Sequence, residues 1–163
     1  MNNQIQLAIS LLPISYVIAT AIPLLVINRR EKRLPNKIVI PLFLLTLLCW
    51  LTLAIWQGKW AELGLALLVF LGSFIAGIIT NFKGWIGMGD VKYIATLSLI
   101  VGWFSLIAGL MLLATIFLVC ILALFVAIIL DYFGVIDIYK TNSFNLAPYI
   151  VGSFGLAMWY ITL

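Results

Sequence analysis

Polar residues are sparse along this chain, and the apolar stretches between them are long. The first, from about Ile5 to Ile27, carries no charge. It is closed by Asn28-Arg29-Arg30-Glu31-Lys32-Arg33-Leu34-Pro35-Asn36-Lys37, the densest charge cluster of the sequence. A helix crossing the hydrocarbon layer needs about 20 apolar residues, so each such stretch predicts one crossing. The second stretch, Ile38 to Trp56, places Pro41 in its expected first turn, where a missing N–H costs least. It ends at the turn Gln57-Gly58-Lys59-Trp60, whose tryptophan suits a membrane interface. The third, Ala61 to Thr80, holds Gly72, Ser73, Ala76 and Gly77, small residues four apart that predict close helix contact. A glycine-rich loop, Asn81 to Gly89, follows.

From Tyr93 to Leu130 the chain is uncharged for too long to be one crossing, and a break is expected near Gly102 to Ser105. A polar loop, Asp131 to Asn145, precedes the last stretch, Leu146 to Leu163. The pattern predicts an all-α polytopic membrane protein with one domain over residues 1–163 and six spans, about 5–27, 38–56, 61–80, 91–103, 106–130 and 146–163. Pro13 and Pro23 fall inside the first span, where neighbouring helices can satisfy the freed carbonyls. Met1 to Ser10 contains no Lys or Arg. The positive segment of a cleavable signal peptide is therefore absent, and the first stretch is expected to remain as helix one.

Composition sharpens this picture. Of the 163 residues, 66% are hydrophobic and 9% charged, against about 45–50% and about 25% in soluble domains. Six spans leave only short loops and no room for a separate soluble domain. The sequence has no His, which removes Ser-His and Cys-His nucleophile pairs and HExxH zinc sites. Its two cysteines, Cys49 and Cys120, stand alone in apolar runs, so no zinc ribbon forms and both read as small hydrophobes. No metal or other cofactor is expected. The net charge of +4 is a topology signal, because no segment supplies the basic, aromatic-bearing face of a nucleic-acid binder.

Arg29, Arg30, Lys32, Arg33 and Lys37 fall in the first loop, Lys83 and Lys92 flank the third, and Lys140 lies in the fifth. Only Lys59 lies on the opposite side. The compartment facing eight of the nine basic residues is then the cytoplasm, with both termini outside.

Two segments carry candidate chemistry. Gly87-Met88-Gly89-Asp90-Val91-Lys92 stands directly before an apolar run. An acid at a membrane boundary is costly and commonly functional, although an aspartate after glycines can also simply cap the helix that follows. A phosphate site is disfavoured by the missing third glycine and by the acid itself. The second segment, Leu34-Pro35-Asn36, opens helix two after the basic run; taken alone it is a Pro-Asn turn in a solvated loop. Asp131 and Asp137 read as solvated loop acids that could meet a basic partner.

Taken together, these segments resemble those of the type IV prepilin peptidases, the bacterial branch of the GxGD intramembrane aspartyl proteases that includes presenilin. That family carries an Asp, a short basic run and Ile/Leu-Pro-Asn after helix one. Gly-x-Gly-Asp-Val/Ala-Lys precedes its helix four, and a Pro-centred segment, similar here to Leu146-Ala147-Pro148-Tyr149, opens helix six. The resemblance implies a bacterial inner-membrane hydrolase, an aspartyl endopeptidase of type IV pilus and protein-secretion systems. It would cut the leader of prepilin or pseudopilin substrates at the cytoplasmic face. Asp90 would be one catalytic acid, with Gly87, Gly89, Lys92, Leu34, Pro35 and Asn36 as motif residues.

Two departures stand out. The cysteine-bearing region that accompanies N-methyltransferase activity in many members is absent, so the chain looks like the short, peptidase-only form. The family's first catalytic aspartate aligns with Asn28, since counting back from Pro35 reproduces the Asp-to-Pro spacing; Glu31 is off register. Two close carboxylates share one proton, one acting as base and the other as acid. Asn keeps the hydrogen bonds but cannot exchange that proton. The chain is therefore expected to fold and bind substrate yet cleave poorly, either as an engineered inactive form, favoured by the otherwise intact motif, or as a natural relative that has lost cleavage. The alternatives are a non-catalytic pilus assembly factor and a small-molecule-binding transporter subunit, such as a vitamin-transporter S component. Membrane lipids are expected partners, held by the basic first loop.

Overall fold

The computed structural model describes residues 3–31, 34–82, 86–116, 118, 122 and 147–162. Among these residues there are helices and no strands. They are α1 (Asn3–Glu31), α2 (Asn36–Gln57), α3 (Trp60–Phe82), α4 (Met88–Phe104), α5 (Leu106–Ile116) and α6 (Ala147–Thr162). Each coincides with one of the apolar stretches; α1 to α4 run one to four residues past their expected ends, and α5 starts at the expected residue 106. Three of them, α1, α2 and α3, are long and apolar enough to cross a membrane. Most of the expected fifth span beyond Ile116, together with Lys32, Arg33, Lys83, Cys120, Asp131, Asp137 and Lys140, lies outside the described residues.

The break expected near Gly102 to Ser105 is a single residue. Ser105 is extended (φ −162°, ψ 132°), and its N–H still donates to Val101 O at 3.2 Å. Its Oγ accepts the Ala108 N–H at 3.4 Å and its carbonyl accepts the Gly109 N–H at 3.1 Å. One serine thus ends α4 and caps α5, as a short hydroxyl at a helix start does. Between α2 and α3, Gly58 closes α2 at φ +68°, a left-handed conformation that glycine adopts without strain.

α4 is the central helix. From Val91 to Trp103 every residue but Lys92 is buried, against α2, α3 and α6. Lipid tails are as apolar as leucine, so helices in a bilayer associate through close packing and internal hydrogen bonds. Both devices are present. Gly77 of α3 lies against Val91 of α4, where an added methyl would collide with the valine side chain. Gly102 of α4 lies against α3, where a methyl would meet Ala66 Cα at 3.1 Å. On α2, fully buried Trp50 donates from Nε1 to Leu99 O of α4 at 3.2 Å and stacks on Trp103 with centroids 4.8 Å apart. Cys49 is buried in the same helix. The outer faces remain apolar, with Ile18, Ile22, Leu48 and Leu68 all exposed, as lipid contact requires.

Two local expectations are corrected. α2 begins at Asn36, so Pro41 stands in its second turn and leaves the Lys37 carbonyl without its usual i+4 donor. Of the small residues of α3, Ser73 is buried and Gly77 meets α4, whereas Gly72 and Ala76 are exposed and no atom approaches within 4 Å of a methyl built at Gly72. The four-residue spacing put both pairs on plausible contact faces, and only the packing of α4 selects between them.

Candidate active site

The site is built where α1 ends, α2 begins and α4 begins. Pro35 precedes α2 in an extended conformation (φ −72°, ψ 128°). Its carbonyl accepts the N–H groups of Ile38 and Val39 at 3.0 and 3.3 Å. Proline thus holds the connection rigid while Leu34, 5% exposed, turns inward.

Leu34 is the seat of the glycine-bearing segment. A methyl built on Gly89 would stand 2.9 Å from Leu34 O and 3.2 Å from both Leu34 N and Leu34 Cβ. Only a residue without a side chain admits that approach. A second tie lies one turn on, where Lys92 Nζ donates to Asn36 Oδ1 at 3.3 Å. The two motif segments, more than fifty residues apart in sequence, are therefore in direct contact. Between α3 and α4, Asn81 Nδ2 donates to Ile86 O at 2.7 Å and fixes the incoming loop.

Asp90 does not take the first capping position expected of a plain helix cap. Gly87 is the N-cap (φ −70°, ψ 146°), and Asp90 stands three residues later, in the first turn of α4. Its carboxylate accepts the Gly87 N–H, the reach-back half of a capping box. That leaves Oδ1 buried with no hydrogen-bond partner among the described residues. Burial pushes the Asp90 carboxyl up from its ordinary 3.8 to about 6, with the Gly87 bond opposing. A carboxyl titrating there can hold or release a proton near neutral pH, which acid–base catalysis requires.

Asn28 is 4% exposed, on the buried stripe of α1 that also carries Val17 and Leu24. A buried polar side chain at the end of an apolar helix is costly unless it has a role. The contacts of Leu34 with Gly89 and of Asn36 with Lys92 put the end of α1 and the start of α4 at the same end of the bundle. Pro148 and Tyr149 lie in the first turn of α6, which packs on α1 and α4.

Two polar residues escaped the sequence reading. Tyr93, one turn after Asp90, is fully buried, and Ser153 of α6 is 2% exposed. The hydroxyl of each lacks a partner among the described residues. An aromatic and a serine in apolar runs give no signal of this in sequence. Glu62, the fifth acid, stands in the first turn of α3, at the end of that helix away from Asp90.

A family model described as the type IV leader peptidase family matches residues 15–130. The matched stretch includes Asn28, Leu34 to Asn36 and Gly87 to Lys92. No curated protein and no solved structure matches the chain.

Proposed function

We propose, from the premise that the chain belongs to the type IV leader peptidase family, that it is built as an aspartyl endopeptidase of the cytoplasmic membrane acting on pilin-like precursors. One observation carries the reading: Asp90 keeps a buried oxygen, without a partner among the described residues, at the contact between the two motif segments. A carboxylate so placed is held by one bond to Gly87 and has one oxygen left to engage a substrate or a hydrolytic water.

In the complete dyad, the ionised acid takes a proton from water as it attacks the scissile carbonyl, and the protonated acid donates to the carbonyl oxygen. Asp90 supplies one partner. Asn28, at the other position, can orient a water or the carbonyl through its amide but cannot carry a proton. Loss of one positioned acid or base typically costs about 10²–10⁴ in rate, so this chain retains precursor binding and loses most cleavage. The apolar part of the precursor lies beside the helices in the bilayer, and its cut site lies at the cytoplasmic boundary.

The test is restoration. Asn28→Asp co-expressed with a panel of prepilins should shorten one of them after the glycine of its leader, where the parent chain leaves it nearly whole. Asn28→Asp combined with Asp90→Asn should be inactive again. A folded Asn28→Asp protein that binds its precursor and leaves it uncut overturns the peptidase reading. Asn28 itself favours a second reading, a non-catalytic assembly factor that binds precursors, and that outcome would support it.

A further inference from the structure

Lys92 faces away from Asp90. The two residues are about 200° apart around α4, and Lys92 shares its face with Thr96, one turn on. That face looks onto a cleft of about 130 Å³ between α2 and α3, lined by Val39, Ile40, Phe43, Phe70, Phe74, Lys92 and Thr96. Phe70 stacks on Phe43 at 5.2 Å and on Phe74 at 6.0 Å, giving the cleft a smooth aromatic wall. Ile40, 48% exposed, stands at its mouth, so the cleft opens on the outside of the bundle. Among the described residues that line it, Lys92 is the one charged side chain. Its amine meets the neutral Asn36 side chain, and no ion pair to Lys92 occurs among the described residues.

We propose that this cleft binds an anionic phospholipid, one acyl chain lying along Phe43, Phe70 and Phe74 and the phosphate resting on Lys92. Three features select this occupant. The walls are hydrocarbon and aromatic, on helices long and apolar enough to cross a membrane. The cation sits one turn inside the cytoplasmic start of α4, where a long side chain extends its amine to headgroup level. The cleft, at about 130 Å³, is also too small to take a peptide helix, which is about 10–12 Å across with its side chains, so a thin chain suits it better. The bound phosphate would lie beside the Lys92–Asn36 contact and so on the seam between the two motif segments. The proposal does not rest on the peptidase reading.

The experiment uses the full-length chain in neutral detergent and two photoreactive lipids with a diazirine in one acyl chain, a phosphatidylglycerol and a phosphatidylcholine. Phosphatidylglycerol should label the chain about fivefold better at equal concentration, which is the contribution of one lysine near an anionic surface. Adducts should map to Phe43, Phe70 and Phe74. Lys92→Gln should abolish the preference while leaving labelling of the aromatic wall. Ile40→Trp fills the exposed mouth without entering the core and should suppress labelling by both lipids, with folding checked by monodisperse elution. Millimolar inorganic phosphate should not compete, because it lacks the chain. Equal labelling by the two lipids, an undiminished preference in Lys92→Gln, adducts spread evenly over the outer faces, or displacement by a prepilin peptide would each overturn the proposal.

Discussion

Gly89 and Leu34 lie so close that a methyl on the glycine would stand 2.9 Å from the leucine carbonyl oxygen. The obstruction is backbone, which cannot rotate away as a side-chain tip can. Gly89→Ala should therefore move the start of α4 off the Leu34–Asn36 segment. We expect a stability loss of about 1–3 kcal/mol, as for other overpacked sites, and at least tenfold slower cleavage in the Asn28→Asp background. Gly72→Ala is the matched control: its methyl meets nothing, and exchanging an exposed helical glycine for alanine should gain up to about 1 kcal/mol. Unfolding curves and precursor cleavage in parallel distinguish the two.

Asp90 should make stability depend on pH in a defined direction. Its folded value, about 6, lies above the ordinary 3.8, so the folded chain holds this proton more tightly than the unfolded chain. Its contribution is then fully present below about pH 4, is lost as pH rises through about 6, and is level above that. Asp90→Asn is neutral throughout. The stability advantage of Asp90→Asn over the parent should grow between pH 4 and pH 6 and then stay flat. Thermal unfolding at one-unit intervals from pH 4 to pH 8 tests this, and a constant difference would show that the carboxyl is not buried.

Trp50 should be the costliest aromatic to truncate. It is fully buried, donates to Leu99 O and stacks on Trp103. Trp50→Phe removes the donor and part of the ring, with an expected loss of about 1–2 kcal/mol, since hydrogen bonds between membrane helices are individually modest. Trp50→Ala should cost about 3–5 kcal/mol through the cavity it leaves. Denaturant titration in mixed micelles gives both values.

Membrane orientation is testable at two exposed lysines. A cysteine at Lys37 should resist an impermeant thiol reagent in intact cells and one at Lys59 should react, because the positive-inside rule places Lys37 in the cytoplasm. Lys59 is a better site than its neighbour Gly58, whose φ of +68° would strain any side chain. Reaction at Lys37 would reverse the topology.

The helices were legible because their signal is local. An uncharged run too long for one crossing has to break, and the break is expected near Gly102 to Ser105; the structure breaks it at Ser105. Residues of the candidate site were legible one at a time, as an acid after glycines or a Pro-Asn turn. Their contact was not. Neither the approach of Gly89 to Leu34 nor the bond from Lys92 to Asn36 leaves a trace in the periodicity of either segment, because each depends on how α4 enters the bundle. The same limit explains Gly72, which has the right spacing and the wrong face, and Tyr93 and Ser153, whose hydroxyls became notable only once burial left them without partners among the described residues. Pro41 was misplaced for a smaller reason, since α2 gained two residues at its start.

The brevity of α4 has a consequence for the bilayer itself. Its 17 residues extend about 25 Å, against about 30 Å for a typical hydrocarbon core. α2 and α3, with 22 and 23 residues, extend about 33 and 35 Å. The central helix is thus shorter than both its neighbours and than a typical hydrocarbon core, and Asp90 sits in its first turn. If Ser105 lies level with the outer boundary, the residues of α4 alone do not reach the inner one, and the mismatch is relieved by tails thinning around the start of the helix. Thickness then becomes a control on the site separate from lipid charge: the Asn28→Asp protein should cut faster in short-chain vesicles than in long-chain ones of the same headgroup.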